Sequence, residues 1–322
     1  MKKTAIFFLM LGGCASVQTQ IPDIPISSLS SERLTQETLA FDKINELTER
    51  LQRVSAPIME ANKELCPKTR LDIGVTTHSL KSYSKQMKPA AERELGAIDD
   101  LSIFNVIAGS TADKAGLKRG DILLGPKDEP LSPISKKFQS LLKNSSDSIR
   151  VKRDEDIFSV GVTPQEICNY PVRLSSTSTI NAYANGRKII MTAGMMNFVK
   201  DDDELALIIG HELGHNTMGH IRKIVTNIIL SAGGTRYTRP FESESDYVGM
   251  YYMVRAGYDP NDVEDVWRRL AVTNPKSVVH AKTHPTFPDR YLRLAATRDE
   301  INNKKAVGAP LLPNFKTGQK SP

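Results

Sequence analysis

The chain of 322 residues is poor in most of the features that mark special protein classes. It has no uninterrupted apolar run of ~18 residues or more, and its mean hydropathy is −0.32, which excludes a polytopic membrane protein. Its composition excludes collagen-like, coiled-coil and wholly disordered chains as well. Three cysteines are too few for a disulfide scaffold. Lys and Arg outnumber Asp and Glu by 43 to 37, giving a net charge of +6, yet the basic residues are scattered and form no cluster. Nucleic acid is therefore not an expected partner. What is present is ordinary globular material: 39% hydrophobic and 25% charged residues, in a length that suits two folded units.

The first cysteine ends a processing signal. Lys2 and Lys3 precede the apolar stretch Ala5 to Leu11, and Gly12 and Gly13 stand just before Cys14, which is a secretory signal layout over residues 1–13. Leu11-Gly12-Gly13-Cys14 is similar to a bacterial lipobox, in which the cysteine is lipidated and becomes the mature N-terminus; an ordinary signal peptide is the alternative. Lipid on Cys14 anchors a protein to a membrane without spanning it. Ala15 follows, where inner-membrane lipoproteins usually carry Asp, so the resemblance implies the periplasmic face of the outer membrane. Export also permits Cys66 and Cys168 to pair. Joined, they close a loop of about 100 residues, worth roughly 4–5 kcal/mol in the chain-entropy limit. Two buried free thiols are the other reading.

Residues 14–31, rich in Ser, Pro and Gln, are expected to be a tether. Over 32–65, Leu34, Phe41, Ile44, Leu47, Leu51, Val54, Ile58 and Leu65 recur at helical spacings, predicting an amphipathic helix. Its polar face mixes both signs of charge, so it is expected to pack on the protein and not on lipid. Residues 66–168 read as short strands and turns. In them Ser110 can cap a short helix, Gly116 can end it in a left-handed conformation, and Gly120-Asp121 can turn the chain into an apolar strand. Ala115-Gly116-Leu117 with Gly120-Asp121 and Leu123 resembles the signature of PDZ domains of bacterial proteases. The resemblance implies binding of extended peptides or C-termini at a sheet edge, with Leu71 to Gly74 as a candidate carboxylate loop; a spacer or lid is the alternative.

Residues 169–305 carry the chemistry. Asp201 to Glu204 read as the acidic cap of a helix, followed by Leu205, Ile208, Ile209 and Leu213 at buried spacing. Within that helix lies His211-Glu212-Leu213-Gly214-His215. Two imidazoles and a carboxylate in an apolar helix are costly unless something satisfies them. Residues four apart are separated by about 40° around the helix, so His211 and His215 can hold one zinc ion. Glu212, about 100° away, can reach a water on it without binding the metal. The alternative is a pair of core histidines satisfied by the backbone. A third ligand is required. His220 follows His211 by nine residues and points away from it on a straight helix, so it is rejected. Glu242 and Asp246 share a face of a second helix, reached through Thr226 to Pro240, suiting a carboxylate ligand and a carboxylate that orients a ligating histidine; Glu244 is the runner-up.

His211-Glu212-Leu213-Gly214-His215 followed by Glu242 and Asp246 resembles the HtpX/BepA-type gluzincin metallopeptidases, a family that also contains the CAAX prenyl proteases and the Oma-type peptidases. Asn181 to Met196 is similar to the family's strand and following helix, and Thr283-His284-Pro285 with Arg290 to its HP-containing segment. Ser245 departs from the usual Ala. The resemblance implies an α+β fold: a mainly helical zincin metallopeptidase domain with a small sheet, preceded by the long helix and the β-rich PDZ-like domain. It implies one Zn²⁺ per chain, held by His211, His215 and Glu242, with Glu212 as general base. His284 and Arg290 are the candidates to serve the oxyanion, His284 being preferred for that role or for a latency-type fourth zinc contact; the alternative for both is a C-terminal packing turn made by Pro285 and Pro288. Substrate is expected along an edge strand at Ala182, Tyr183 and Ala184. The function so implied is a zinc metalloendopeptidase acting on misfolded or unassembled envelope proteins; the alternative is a latent or chaperone-like peptide-binding lipoprotein. Trp267, on a helix begun at Asp259-Pro260, is read as core, and residues 306–322 as a disordered tail.

Overall fold

A computed structural model describes residues 21–132, 135–144, 148–230, 238–273, 275–279 and 286–314. Cys14 and His284 lie outside the described residues. The fold is α+β, with two main hydrophobic cores.

Helix α1 spans Ile26–Ala61, so it starts within the stretch expected to be a tether and stops before the predicted end at 65. Its hydroxyls explain the early start. Ser30 and Thr35 donate to the carbonyls of Ile26 and Ser31, and Arg33–Glu37 pairs one turn apart, so a Ser-rich composition is absorbed inside the helix. At the other end Asn62 donates Nδ2 to the carbonyls of Ile58 and Tyr252, and a single 3-10 turn follows over Lys63–Leu65. Leu47, Leu51, Val54 and Ile58 belong to the core of the C-terminal half.

Strands β1 (Thr69–Asp72) and β2 (Val75–His78) follow, then α2 (Lys88–Leu95), β3 (Ser102–Val106), α3 (Thr111–Lys114), β4 (Ile122–Leu124), α4 (Ser135–Asn144), β5 (Ser148–Arg153), β6 (Asp156–Gly161) and β7 (Gln165–Cys168). The sequence pattern missed α2 and α4. The α2 segment has Pro89 in its first turn, an Ala pair on its buried side and a left-handed Gly96 at its end, all helix signals too short to register as periodicity. Strands β2 to β6 form one antiparallel sheet in chain order, and α3 is capped by Ser110, whose Oγ accepts from the Asp113 amide. Gly116 and Gly120 hold φ of 78° and 90°, the left-handed turns their positions require. β1 pairs antiparallel with β7, Thr69 opposite Cys168, and Cys66 is bonded to Cys168 across a sequence separation of 102.

The C-terminal half holds β8 (Val172–Ser175), β9 (Ala182–Ala184), β10 (Ile189–Thr192), α5 (Ala193–Phe198), α6 (Asp202–Thr217), α7 (His220–Leu230), α8 (Arg239–Arg255), α9 (Asp265–Thr273), α10 (Lys276–Val279) and α11 (Phe287–Ala306). Sheet order is β8-β10-β9, with β9 antiparallel to β10 at one end. The acidic run opening α6 has structural partners throughout. Asp201 Oδ1 accepts from the Glu204 amide, Asp202 binds Arg50 and Arg53 of α1, Asp203 accepts from the Asp259 amide, and buried Glu204 binds Arg269. Trp267 sits in the core as expected, but α9 begins at Asp265 and not at Asp259. The start of the expected tail is ordered: Arg255 donates to the Leu311 carbonyl and the Asn314 amide to Tyr247 Oη. Apolar Leu311 packing on the core carries this short segment, which its terminal position alone does not reveal.

Candidate metal centre

The site is built where α6 crosses α8 with almost no side chains between them. A Cβ at Gly249 would meet His211 N at 2.5 Å and Gly210 C at 2.7 Å, and one at Gly214 would meet Ser245 Cα at 3.2 Å. Glycines thus let the two backbones touch, so that side chains one turn along each helix meet over a short gap.

His211, His215 and Glu242 meet there. One ligand atom from each lies within 4.8 Å of the others, and all three residues are buried. The two Nε2 atoms are 3.1 Å apart, and Glu242 places Oε2 at 3.5 Å from His211 Nε2 and Oε1 at 3.5 Å from His215 Nε2. Zinc–nitrogen bonds of 2.0–2.1 Å at a tetrahedral angle put two nitrogens about 3.4 Å apart, so the donor set fits zinc in spacing and in chemistry. Glu212 is buried beside His211 but stays outside this group of ligand atoms. No other such group exists among the described residues.

Behind the ligands lies a layer of fixed charge. His211 Nδ1–H donates to Asp246 Oδ1 at 2.8 Å, which turns its Nε2 towards His215 and Glu242. Arg290, 3% exposed, grips the same carboxylate with Nε at 2.8 Å and Nη2 at 2.6 Å, while its guanidinium lies 3.4 Å over the Trp267 ring. This corrects the oxyanion role expected for Arg290: its fork is committed to Asp246, on the Nδ1 side of His211, away from the ligand atoms. Trp267, read only as core, is the platform under that fork.

His220 contradicts the straight-helix picture. Gly219, at φ 67°, breaks the chain between α6 and α7 and brings the fully buried His220 ring back to His215. Its Nδ1 is 3.3 Å from His215 Nδ1 and 3.1 Å from Ser245 Oγ, and its Nε2 is 2.7 Å from Glu244 Oε2. Glu244, the runner-up ligand, is therefore engaged elsewhere. Asn216 was missed altogether. Its Oδ1 accepts from the Gly186 amide at 2.7 Å and its Nδ2 donates to the Lys188 carbonyl, which fastens the β9–β10 turn to the residue next to His215. The signal available in sequence was Asn185-Gly186, a hairpin turn pair whose partner only the fold reveals. Ala182, Tyr183 and Ala184 accordingly form β9, paired to β10 on one side, with Tyr183 exposed.

Electrostatics follow from these contacts. Burial pulls the His211 pKa down, but the Asp246 charge and hydrogen bond and the Glu242 hydrogen bond outweigh it and raise the pKa to about 9. Burial favours neutral Glu242 and Asp246; His211 and His215 reverse this for Glu242, and Arg290 with His211 reverse it for Asp246, so both carboxyls titrate below their usual range. Metal uptake must then expel the His211 proton. A raised pKa stabilises the metal-free fold fully below about 6.5, and that contribution fades as pH rises through about 9. Apparent zinc affinity is therefore expected to climb about tenfold per pH unit across this window, levelling above it; competition with a chelator of known pH dependence measures it. A flat profile between pH 7 and 8.5 would contradict the imidazolium assignment.

A small sheet with an antiparallel edge lies beside two crossed helices that present His, His and Glu, with a further Glu next to the first His, so the HExxH spacing and a carboxylate from a second helix meet at one candidate metal site. Residues 154–233 match the profile of Peptidase family M48. The chain is 27% identical over 151 residues to "Mitochondrial metalloendopeptidase OMA1" of Arabidopsis thaliana, covering 39% of this chain and 31% of that protein. It is 24% identical over 172 residues to the protein of the same name from Schizosaccharomyces pombe, covering 43% and 51%. It is also 24% identical over 172 residues to "Beta-barrel assembly-enhancing protease" of Yersinia pestis, covering 41% and 34%. The chain thus spans between 31% and 51% of the length of these relatives. Among solved structures, the HtrA3 PDZ domain bound to a phage-derived ligand aligns with 32% of this chain and 92% of its own, at 17% identity and a TM-score of 0.24. Over these matched segments the chain is similar to M48 metallopeptidases of the BepA/Oma type.

Proposed function

We propose that this chain is a zinc-dependent endopeptidase that cuts misfolded or unassembled proteins of the cell envelope. The observation that carries the reading is the convergence of His211, His215 and Glu242 with Glu212 beside them but outside the ligand group. Bound zinc supplies Lewis acidity, towards water and towards the scissile carbonyl. Glu212 takes a proton from the attacking water as its oxygen bonds to the carbonyl carbon; the C–N bond then breaks and Glu212 returns the proton to the leaving nitrogen. Asp246 and Arg290 hold His211 in the tautomer this requires, and His284 is the remaining candidate for the oxyanion.

The substrate class is supported by β9. A three-residue edge pairs with main chain only if that chain is extended, which folded proteins rarely offer and unfolded ones do. The relative named for β-barrel assembly supports an envelope setting. No helix of the described residues is long and apolar enough to cross a membrane, and lipid on Cys14 would supply the anchor, at the periplasmic face of the outer membrane. In this reading residues 169–305 are the zincin domain and 66–168 a PDZ-like peptide-binding domain. A cavity of about 300 Å³ beside edge strand β2, walled by Phe138 of α4 and by Gln52 and Met59 of α1, favours peptide capture there. That cavity is also what a latent or chaperone-like protein would use.

The test is hydrolysis by the zinc-loaded chain of an envelope β-barrel protein, presented once unfolded in urea-diluted form and once folded in detergent. Internal cuts in the unfolded form only, stopped by a chelator and restored by zinc, are expected. Equal cutting of both forms would remove the unfolded-substrate reading. No cutting by a protein that still holds one zinc would favour the latent or chaperone-like one.

A further inference from the structure

His220 is a fully buried titratable ring that the reaction does not use, and Glu244 is a carboxylate next to the metal site that no ligand role absorbs. Their hydrogen bonds run in one direction only. A carboxylate can only accept, so Glu244 Oε2, 2.7 Å away, fixes the His220 proton on Nε2. Neutral His220 then keeps a lone pair on Nδ1, which faces His215 Nδ1 at 3.3 Å and Ser245 Oγ at 3.1 Å. A His215 that presents a bare Nε2 to His211 and Glu242 carries its proton on Nδ1, where that lone pair is placed to accept it. A ligating imidazole usually gives its second N–H to a carboxylate, a carbonyl or water. His211 follows that habit with Asp246; on His215 an imidazole is interposed.

We infer that His220, locked in its Nε2–H tautomer by Glu244, is a positioning residue that accepts the His215 Nδ1–H and so sets His215 to bind zinc. The stacking of His220 on Phe241, with ring centroids 4.9 Å apart, holds the ring at the needed angle, and Ser245 Oγ–H has the same lone pair within reach. The Ser245 hydroxyl, in place of the smaller Ala, thus has a local partner. The inference rests on the zinc reading, and zinc binding by the unsubstituted chain checks that reading separately.

The experiment measures zinc dissociation constants by competition with a chromophoric chelator, on the full chain, for His220→Leu, His220→Asn and Glu244→Gln, together with metal-free melting curves. Loss of a hydrogen-bond partner to a ligating histidine weakens metal binding by about 10–100-fold. His220→Leu is expected to lose that much. His220→Asn, whose side-chain oxygen can accept from His215, is expected to recover most of it. Glu244→Gln is expected to weaken binding severalfold, since an amide can also donate to His220 and reverse its tautomer, with metal-free melting unchanged. Long-range ¹H–¹⁵N spectra of the zinc-loaded chain are expected to show His220 neutral and protonated on Nε2. Unchanged zinc affinity in Glu244→Gln and in whichever folded His220→Leu protein is obtained overturns the inference, as does a His220 protonated on Nδ1. Should His220→Leu not fold, the Glu244→Gln affinity and the His220 tautomer decide alone.

Discussion

Glu212→Gln is expected to lower turnover by about 10²–10⁴-fold while leaving zinc content, substrate KM and melting temperature close to those of the parent. The substitution keeps shape and hydrogen-bonding capacity but removes the one function a general base needs, a carboxylate oxygen that can take up a proton. Glu212 lies outside the group of mutually close ligand atoms, so its charge is not needed to hold the metal. A loss confined to kcat separates proton transfer from binding, because an interaction made only in the transition state lowers kcat and kcat/KM together. Glu242→Gln should behave differently. Glu242 contacts both histidine Nε2 atoms, and weakening that carboxylate should cost the metal first and activity as a consequence. Equal hydrolysis by the parent and Glu212→Gln would sink the catalytic assignment. So would a Glu212→Gln protein that has lost its zinc, since that would make Glu212 a ligand.

The parts of this site that were legible in the sequence share one property: local periodicity decides them. His211 and His215 lie a turn apart on one helix, and Glu242 and Asp246 a turn apart on another, so helical geometry places each pair before any tertiary fold is known. The residues misread depend on where the chain turns. His220 was excluded by extending α6 in a straight line, but left-handed Gly219 ends that helix and folds the next one back. Arg290 was assigned to the oxyanion because a guanidinium near an active site suggests charge stabilisation, yet Asp246, 44 residues away in sequence, claims its whole fork. Trp267 looked like core and is core, but its indole face also carries the Arg290 cation. Asn216 had no signal of its own, since its two partners belong to a hairpin turn. Element boundaries show the same limit. The start of α1 depends on hydroxyl-to-carbonyl bonds within the helix, and the order of residues 308–314 on packing against α8, neither of which hydrophobic spacing records.

Gly249→Ala is expected to abolish tight zinc binding and to destabilise the fold, in contrast to the usual outcome of this substitution in a helix. In an open helix interior, replacing Gly by Ala gains about 1 kcal/mol, because Gly loses more backbone freedom on folding. Here the new Cβ would stand 2.5 Å from His211 N, 2.7 Å from Gly210 C and 2.8 Å from His211 Cα, all backbone atoms of α6 that no rotamer change can move aside. Relief to ordinary contact near 3.5–4.0 Å requires α6 and α8 to part by about 1 Å. Overpacking of this kind costs typically 1–3 kcal/mol, enough to cancel the propensity gain and reverse its sign. The metal site suffers more, because His211 and His215 ride on α6 and Glu242 on α8. Metal–ligand distances tolerate about ±0.2 Å, so a shift of about 1 Å between the helices disperses the donor set. The same shift lengthens the 2.8 Å bond from His211 to Asp246 and leaves the Asp246–Arg290 pair without its third partner. Calorimetric or chelator-competition titration should find zinc affinity reduced by at least about 100-fold, and urea unfolding a lower midpoint than the parent. A Gly249→Ala protein that is more stable than the parent and binds zinc equally well would show that the α6–α8 contact is looser than drawn. By the same argument Gly257→Ala, beyond the end of α8 where a Cβ meets nothing within 4 Å but φ is 90°, should be destabilised by its backbone strain alone and keep its zinc.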